Sequence, residues 1–83
     1  MNSNELLLMS ISDSLPQFNL NLFDHDGYYF LKFGNDPLTT SKIFISEGHI
    51  YIHLYLANTK IDMFTCDNII DEIDSFIRKY VPI

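Results

Sequence analysis

The sequence predicts an α+β fold: a short N-terminal helix, a four- to five-stranded antiparallel sheet of hairpins, and an amphipathic C-terminal helix packed on one sheet face. Three observations point there. His49 to Leu56 alternates strictly, with Ile50, Ile52, Leu54 and Leu56 on one side and His49, Tyr51, His53 and Tyr55 on the other. A period of two is the mark of a strand, because successive side chains point to opposite faces of a sheet. Similar short alternating runs recur, separated by turn-forming residues. Near the end, Ile69, Ile70, Ile73, Phe76, Ile77 and Tyr80 recur at spacings of three and four, which is one stripe of a helix. Segregated helices and an antiparallel sheet make a two-layer domain. Both helices have one apolar stripe, so both are expected to cover the same sheet face.

Along the chain, Asn2 or Ser3 caps the first helix, and Glu5 stands three residues after Asn2 as in a capping box. Leu7, Leu8, Ile11 and Leu15 give helical spacing, Leu6 and Met9 widen the stripe, and Pro16 stops it. The helix is predicted over about residues 3–13. Residues 17–23 alternate, with Phe18, Leu20 and Leu22 on one face, and are read as a strand. Asp26-Gly27 is a hairpin signal, since Gly tolerates positive φ. Residues 28–33 return as a strand that is apolar on both sides, which suits an interior position or a covered second face. Residues 34–41 form the longest loop, and 42–46 are a third strand. Glu47-Gly48 turns into His49–Leu56, residues 57–59 turn again, and 60–64 are the fifth strand, with Ile61 and Met63 inward. Thr65 or Asp67 caps the last helix. Its carboxylates lie early and Arg78 and Lys79 lie late, as the helix dipole favours.

Eighty-three residues make one small domain, 1–83, of which 47% are hydrophobic and 14% aromatic. That is ample for a core, although a chain this short buries only about 60–65% of its unfolded surface. No apolar run approaches the ~20 residues of a membrane span, and no basic residue precedes Leu6 to Met9, so the expectation is a cytoplasmic protein. The single cysteine, Cys66, has no second cysteine for a disulfide or a zinc site, and reads as a small half-buried residue.

Five Lys plus Arg against eleven Asp plus Glu give a net charge of −6. Binding a phosphate backbone or an anionic membrane needs the opposite balance, so neither direct nucleic-acid binding nor membrane binding is expected. His49 and His53 share a strand face, but four residues at ~3.3 Å each put them about 13 Å apart, too far to ligate one metal. Asp24-His25-Asp26-Gly27 has the look of a calcium loop, yet the twelfth residue from Asp24 is Asn35 where a bidentate Glu is needed. The three glycines are scattered in turns, and no nucleophile motif occurs. The expectation is therefore a protein that is not an enzyme and uses no cofactor or metal.

Two surfaces stand out as partner-binding candidates. Tyr51, His53 and Tyr55 project from the central strand away from the helices, with Phe44, Tyr28 and Phe30 joining them if the register allows. Aromatic residues are enriched at interface centres. Asp67, Asp71, Glu72 and Asp74 gather at the start of the last helix and suit a basic groove on another protein. The leading expectation is a small acidic inhibitor of the immunity, anti-defence or nucleic-acid-mimic type, which occludes a basic surface of a partner protein. The alternative is an adaptor or a subunit of a larger assembly that binds through the aromatic sheet face, with a homodimer possible. An opening helix followed by hairpin strands resembles, in element order alone, the first half of the small acidic type III secretion chaperones. That resemblance implies a dimeric chaperone-like module.

Overall fold

The structure, a computed structural model, describes residues 3–36, 38–65 and 70–81, with the backbone alone given for 63–65. Its elements run in the order helix, five strands, helix. Helix α1 spans Ser3–Ser14, the strands are β1 (Leu20–His25), β2 (Tyr28–Phe33), β3 (Lys42–Ser46), β4 (His49–Leu56) and β5 (Thr59–Thr65), and helix α2 spans Ile70–Tyr80. The strands lie side by side in chain order, each antiparallel to the next. This is a meander, and β2 is an interior strand, as its two apolar sides predict.

Three of the four connections between strands are two-residue turns whose central residues both have positive φ: Asp26-Gly27 (52° and 82°), Glu47-Gly48 (53° and 78°) and Ala57-Asn58 (50° and 66°). That backbone matches the twist of the strands it joins. The first turn is further fixed by the Gly27 amide, which donates to Asp24 Oδ1 at 2.9 Å. The third is shorter than its sequence suggests. Thr59 already belongs to β5 and pairs with Leu56.

Residues 17–23 depart from the expected strand. Pro16–Phe18 form a single 3₁₀ turn, Asn19 is left-handed at φ 53°, and only Leu20 begins β1. Proline at the first position of a helical turn presets φ and gives up an amide that would lack a partner there. Phe18 is buried all the same, packed 6.4 Å from Phe33 between ring centroids, but as a plug between α1 and the sheet. In α1, Leu8 and Ile11 are buried, whereas Leu6 and Met9 are 51% and 38% exposed, so they do not widen the buried stripe. Thr65, read as a helix cap, is instead the last residue of β5 and pairs with Ile50. The expectations for Asn2, Cys66 and Asp67, and for the Met63 side chain, fall outside the described residues.

One core joins the two layers. Leu8 and Ile11 of α1, Leu15, Phe18, and Ile73 and Ile77 of α2 pack on Leu20, Leu31, Phe33, Ile43, Ile45, Ile50, Ile52 and Leu54 of the sheet. Both helices therefore cover one sheet face.

The loop after β2 carries a 3₁₀ turn at Leu38–Thr40 and ends at Ser41, the one buried polar residue among those described. The Tyr55 amide donates to Ser41 Oγ at 2.9 Å, and the Ser41 amide donates to the Leu38 carbonyl at 2.8 Å. Ser41 thus ties the loop to β4 and satisfies an amide beyond the end of β3. Ser41→Ala leaves the Tyr55 N–H without this acceptor and is expected to cost about 1–3 kcal/mol, read from urea unfolding. A loss below about 0.5 kcal/mol would show that water replaces the hydroxyl. Gly34 closes the start of the same loop: its amide donates to the Asn19 carbonyl at 3.0 Å, and a Cβ there would lie 3.0 Å from that same oxygen.

Candidate functional site

Side chains opposite the core project from the other face of the sheet, and the register arranges them in rows. Phe23 pairs with Phe30, Phe30 with Phe44, and Phe44 with Tyr51. Directly paired residues share a face, so one aromatic row crosses four strands. The rings stand beside one another. Phe44 and Tyr51 stack at 5.2 Å and 11°, and Phe23 and Phe30 at 5.9 Å and 16°. Tyr28 leans against both Phe30 (5.8 Å) and Phe44 (6.1 Å). Phe23 and Tyr28 are 47% and 42% exposed, and none of these five rings belongs to the core or packs against it.

A second row, one step along the strands, is polar: Asn21, Lys32, Lys42, His53 and Asp62, each paired with the next. The lysines lean over the rings. Lys32 Nζ lies 5.6 Å from the centre of Phe23, and Lys42 Nζ lies 5.8 and 5.4 Å from those of Phe30 and Phe44. Lysine ammonium groups over ring faces gain roughly 0.5–1 kcal/mol each at exposed sites. Beyond them Tyr55 pairs with Lys60. Three of the five cationic side chains of the protein, Lys32, Lys42 and Lys60, therefore lie on the strands of this face, against the single carboxylate Asp62 among their described positions on it, while Asp26 and Glu47 stand in the turns at its far edge. A chain of net charge −6 thus carries a cationic row on its sheet.

His53 sits where the two rows meet. Its ring makes an edge contact with Phe44 at 4.8 Å, and its Nε2 is 3.8 Å from Asp62 Oδ1. Burial holds its pKa below the ordinary histidine value, and Lys60 and Lys42 add to the depression against the opposing pull of Asp62. Above pH ~6.5 both folded and unfolded chains carry it neutral. As the pH falls through that value the unfolded chain takes up the proton first, so this residue's contribution to stability is lost as acid is added, until the folded protein also protonates. A proton NMR titration should place the His53 midpoint below the ordinary value. Lys60→Gln should raise it and Asp62→Asn should lower it further. A wild-type midpoint at or above the ordinary value would contradict this balance.

Compared with known proteins, the chain matches no family model, no curated protein and no solved structure.

The sites read from the sequence separate into two places. Tyr51, His53 and Tyr55 lie on the open sheet face, half-buried. Asp71 and Glu72 are exposed in the first turn of α2, in the helical layer on the other side of the sheet. The two surfaces do not form one site. Asp74 is already engaged: Gln17 Nε2 donates to its Oδ1 at 2.7 Å, and Arg78 Nε donates to both carboxylate oxygens at 3.0 and 2.9 Å. Arg78 in turn lies over the buried Phe18 ring at 5.8 Å. Asp74 is thus part of the joint between α2 and the 3₁₀ turn. Asp67 lies outside the described residues.

Phe23, Lys32, Lys42, Lys60 and Asp62 belong to the sheet face and were not singled out from the sequence. Phe23 was within reach: a two-residue turn at Asp26-Gly27 pairs His25 with Tyr28, and hence Phe23 with Phe30. Among the described residues no three His, Cys, Asp or Glu side chains gather as a metal site, and no helix is long and apolar enough to cross a membrane.

Proposed function

We propose that this protein is a non-enzymatic protein-binding module that works through the open aromatic face of its sheet. One observation carries the reading: a row of four rings, Phe23, Phe30, Phe44 and Tyr51, continuous across four strands on the face opposite both helices. Small monomers rarely expose apolar surface in so connected a form, and aromatic anchors dominate the energy of protein interfaces. The lysines add direction. Their stems extend the apolar surface while their ammonium groups mark its edge. A module of this kind acts as an adaptor, an assembly subunit or an occluding inhibitor. All three need only a stable fold and one complementary surface.

The acidic-helix reading keeps two exposed carboxylates, Asp71 and Glu72, as its support. It proposes docking into a basic groove of a partner. The two readings separate by salt and by mutation, because exposed charge pairs are screened and buried apolar contact is not. The experiment is capture of partners from the host's lysate on the tagged protein, washed at low and then high salt. We expect a stoichiometric partner that survives high salt, is lost with Phe23→Ala combined with Tyr28→Ala, and is kept with Asp71→Lys combined with Glu72→Lys. The reverse pattern would move the function to α2.

A further inference from the structure

We infer that the occupant of the sheet face is a second copy of this chain, related by a two-fold axis that lies along the aromatic row; this rests on the reading of that face as the working surface. On β2 and β3 the charge of the face is arranged in bands, whereas toward β5 the lysine side also holds Asp62. Strand β2 runs from the Asp26-Gly27 turn to Lys32, and β3 runs from Lys42 to the Glu47-Gly48 turn. Lys32 and Lys42, paired with each other, therefore lie on one side of the ring row, and Asp26 and Glu47 lie on the other. Both carboxylates are exposed, and the Asp26 side chain is 96% accessible.

Across β2 and β3 this order, cationic, aromatic, anionic, is its own complement under one rotation. Turning a copy by half a turn about the ring row lays each strand over its counterpart and exchanges the two sides. Ring row then meets ring row, Lys32 meets Asp26 of the other copy, and Lys42 meets its Glu47. An isologous interface requires this kind of self-complementarity. The reach is adequate. The lysines stand two residues and Glu47 three residues from the row, roughly 7 and 10 Å at ~3.3 Å per residue, and a lysine stem spans the difference. An axis along the strands would instead set lysine over lysine. The charge thus selects one of the two in-plane axes.

Other occupants fit less well. A single nucleic-acid strand binds by stacking bases on aromatic faces. Here the Phe44 and Tyr51 faces are turned to each other, as are those of Phe23 and Phe30, and lysines lie over the Phe23, Phe30 and Phe44 rings. An acidic peptide would satisfy the lysines but leave Asp26 and Glu47 facing it.

Five strands about 4.8 Å apart and about 20 Å long present roughly 400 Å² of sheet per copy. The two copies together then cover about 800 Å², below the roughly 1,200–2,000 Å² of stable specific interfaces, which sets the expectation of a weak, reversible dimer. Sedimentation equilibrium at physiological salt, from about 10 to about 500 µM, covers the range in which such a dimer forms. The wild-type protein should pass from monomer toward dimer. Lys42→Glu should weaken self-association about tenfold or more, because it sets two like-charge pairs in the symmetric interface. Lys42→Glu combined with Glu47→Lys in the same chain should restore it, since every copy then carries the exchanged pair. Circular dichroism confirms that each variant is folded.

A monomer at every concentration, a dimer indifferent to Lys42→Glu, or an exchange that fails to restore association would each overturn the two-fold. Binding of a ten-residue oligothymidylate by a strict monomer would also overturn it. A monomer that still loses its high-salt partner with Phe23→Ala and Tyr28→Ala would sink the second copy and leave the sheet face as the working surface. A partner or dimer untouched by those same changes would sink both.

Discussion

Ile52→Ala is expected to remove about 2–5 kcal/mol of stability, the range for deleting a fully buried branched side chain and leaving a cavity. Ile52 is 0% exposed, and on β4 it pairs with Ile43 of β3 and Met63 of β5, so it lies inside the sheet and under the helices. An 83-residue domain is typically stable by only about 4–12 kcal/mol. The substitution therefore consumes from about a sixth of what holds the fold to all of it. The midpoint of thermal unfolding should fall by roughly 8–40 °C, at about 4–8 °C per kcal/mol for a domain of this size. Ile52→Val, which removes one methyl group, should cost about 0.5–1.5 kcal/mol. A loss under about 1 kcal/mol for Ile52→Ala would mean that β4 is not the centre of the core. The neighbouring His53 faces the other way, and the two positions together test the alternation on which the fold rests.

Asp74→Lys is expected to cost about 1–3 kcal/mol, whereas Asp71→Lys and Glu72→Lys should each stay within about 0.5 kcal/mol. The three carboxylates share one helix, and the difference lies in what each touches. Asp74 accepts hydrogen bonds from Gln17 and Arg78, and joins α2 to the turn that holds Phe18. Reversal removes these bonds and sets an ammonium group beside a guanidinium. Arg78 is 45% exposed, so solvent screens part of the ion pair and most of the loss comes from the Gln17 bond and the displaced packing. Asp71 and Glu72 project into water. Urea unfolding of the three variants checks this. Equal losses at all three positions would show that the charge of the helix, not the joint, is being measured. Any effect of Asp74→Lys on a partner thus has to be read alongside its effect on the fold.

The architecture was largely open to reading because a period of two is hard to mistake over eight residues. His49–Leu56 fixed one strand, the Asp-Gly and Glu-Gly turns fixed its neighbours, and Ile73 and Ile77 placed the last helix on the sheet. The departures have local causes. Gln17 to Phe23 alternates as a strand does, but Pro16 and a left-handed Asn19 favour a 3₁₀ turn, and period alone does not separate one turn of helix from two residues of strand. Ala57-Asn58 adopts the same left-handed turn as Asp26-Gly27 with no glycine to announce it. Leu6 and Met9 have the chemistry of core residues, yet α1 turns them outward.

The sheet face was half legible. Tyr51, His53 and Tyr55 follow from the alternation of one strand. Lys32 and Lys42 become neighbours only through the β2–β3 pairing, which an eight-residue loop conceals. The acidic total hid a cationic row on the sheet, because net charge sums over both layers while a partner meets only one.

The most direct test of the sheet face is site-specific photocrosslinking in the native host. A benzophenone amino acid takes the place of Tyr28 in one strain and of Glu72 in another. Tyr28 is 42% exposed on the sheet face, and Glu72 is exposed on the helical side. The account predicts a discrete adduct, of dimer or partner mass, from position 28 and none from position 72. An adduct from position 72 alone would contradict it and make α2 the binding surface.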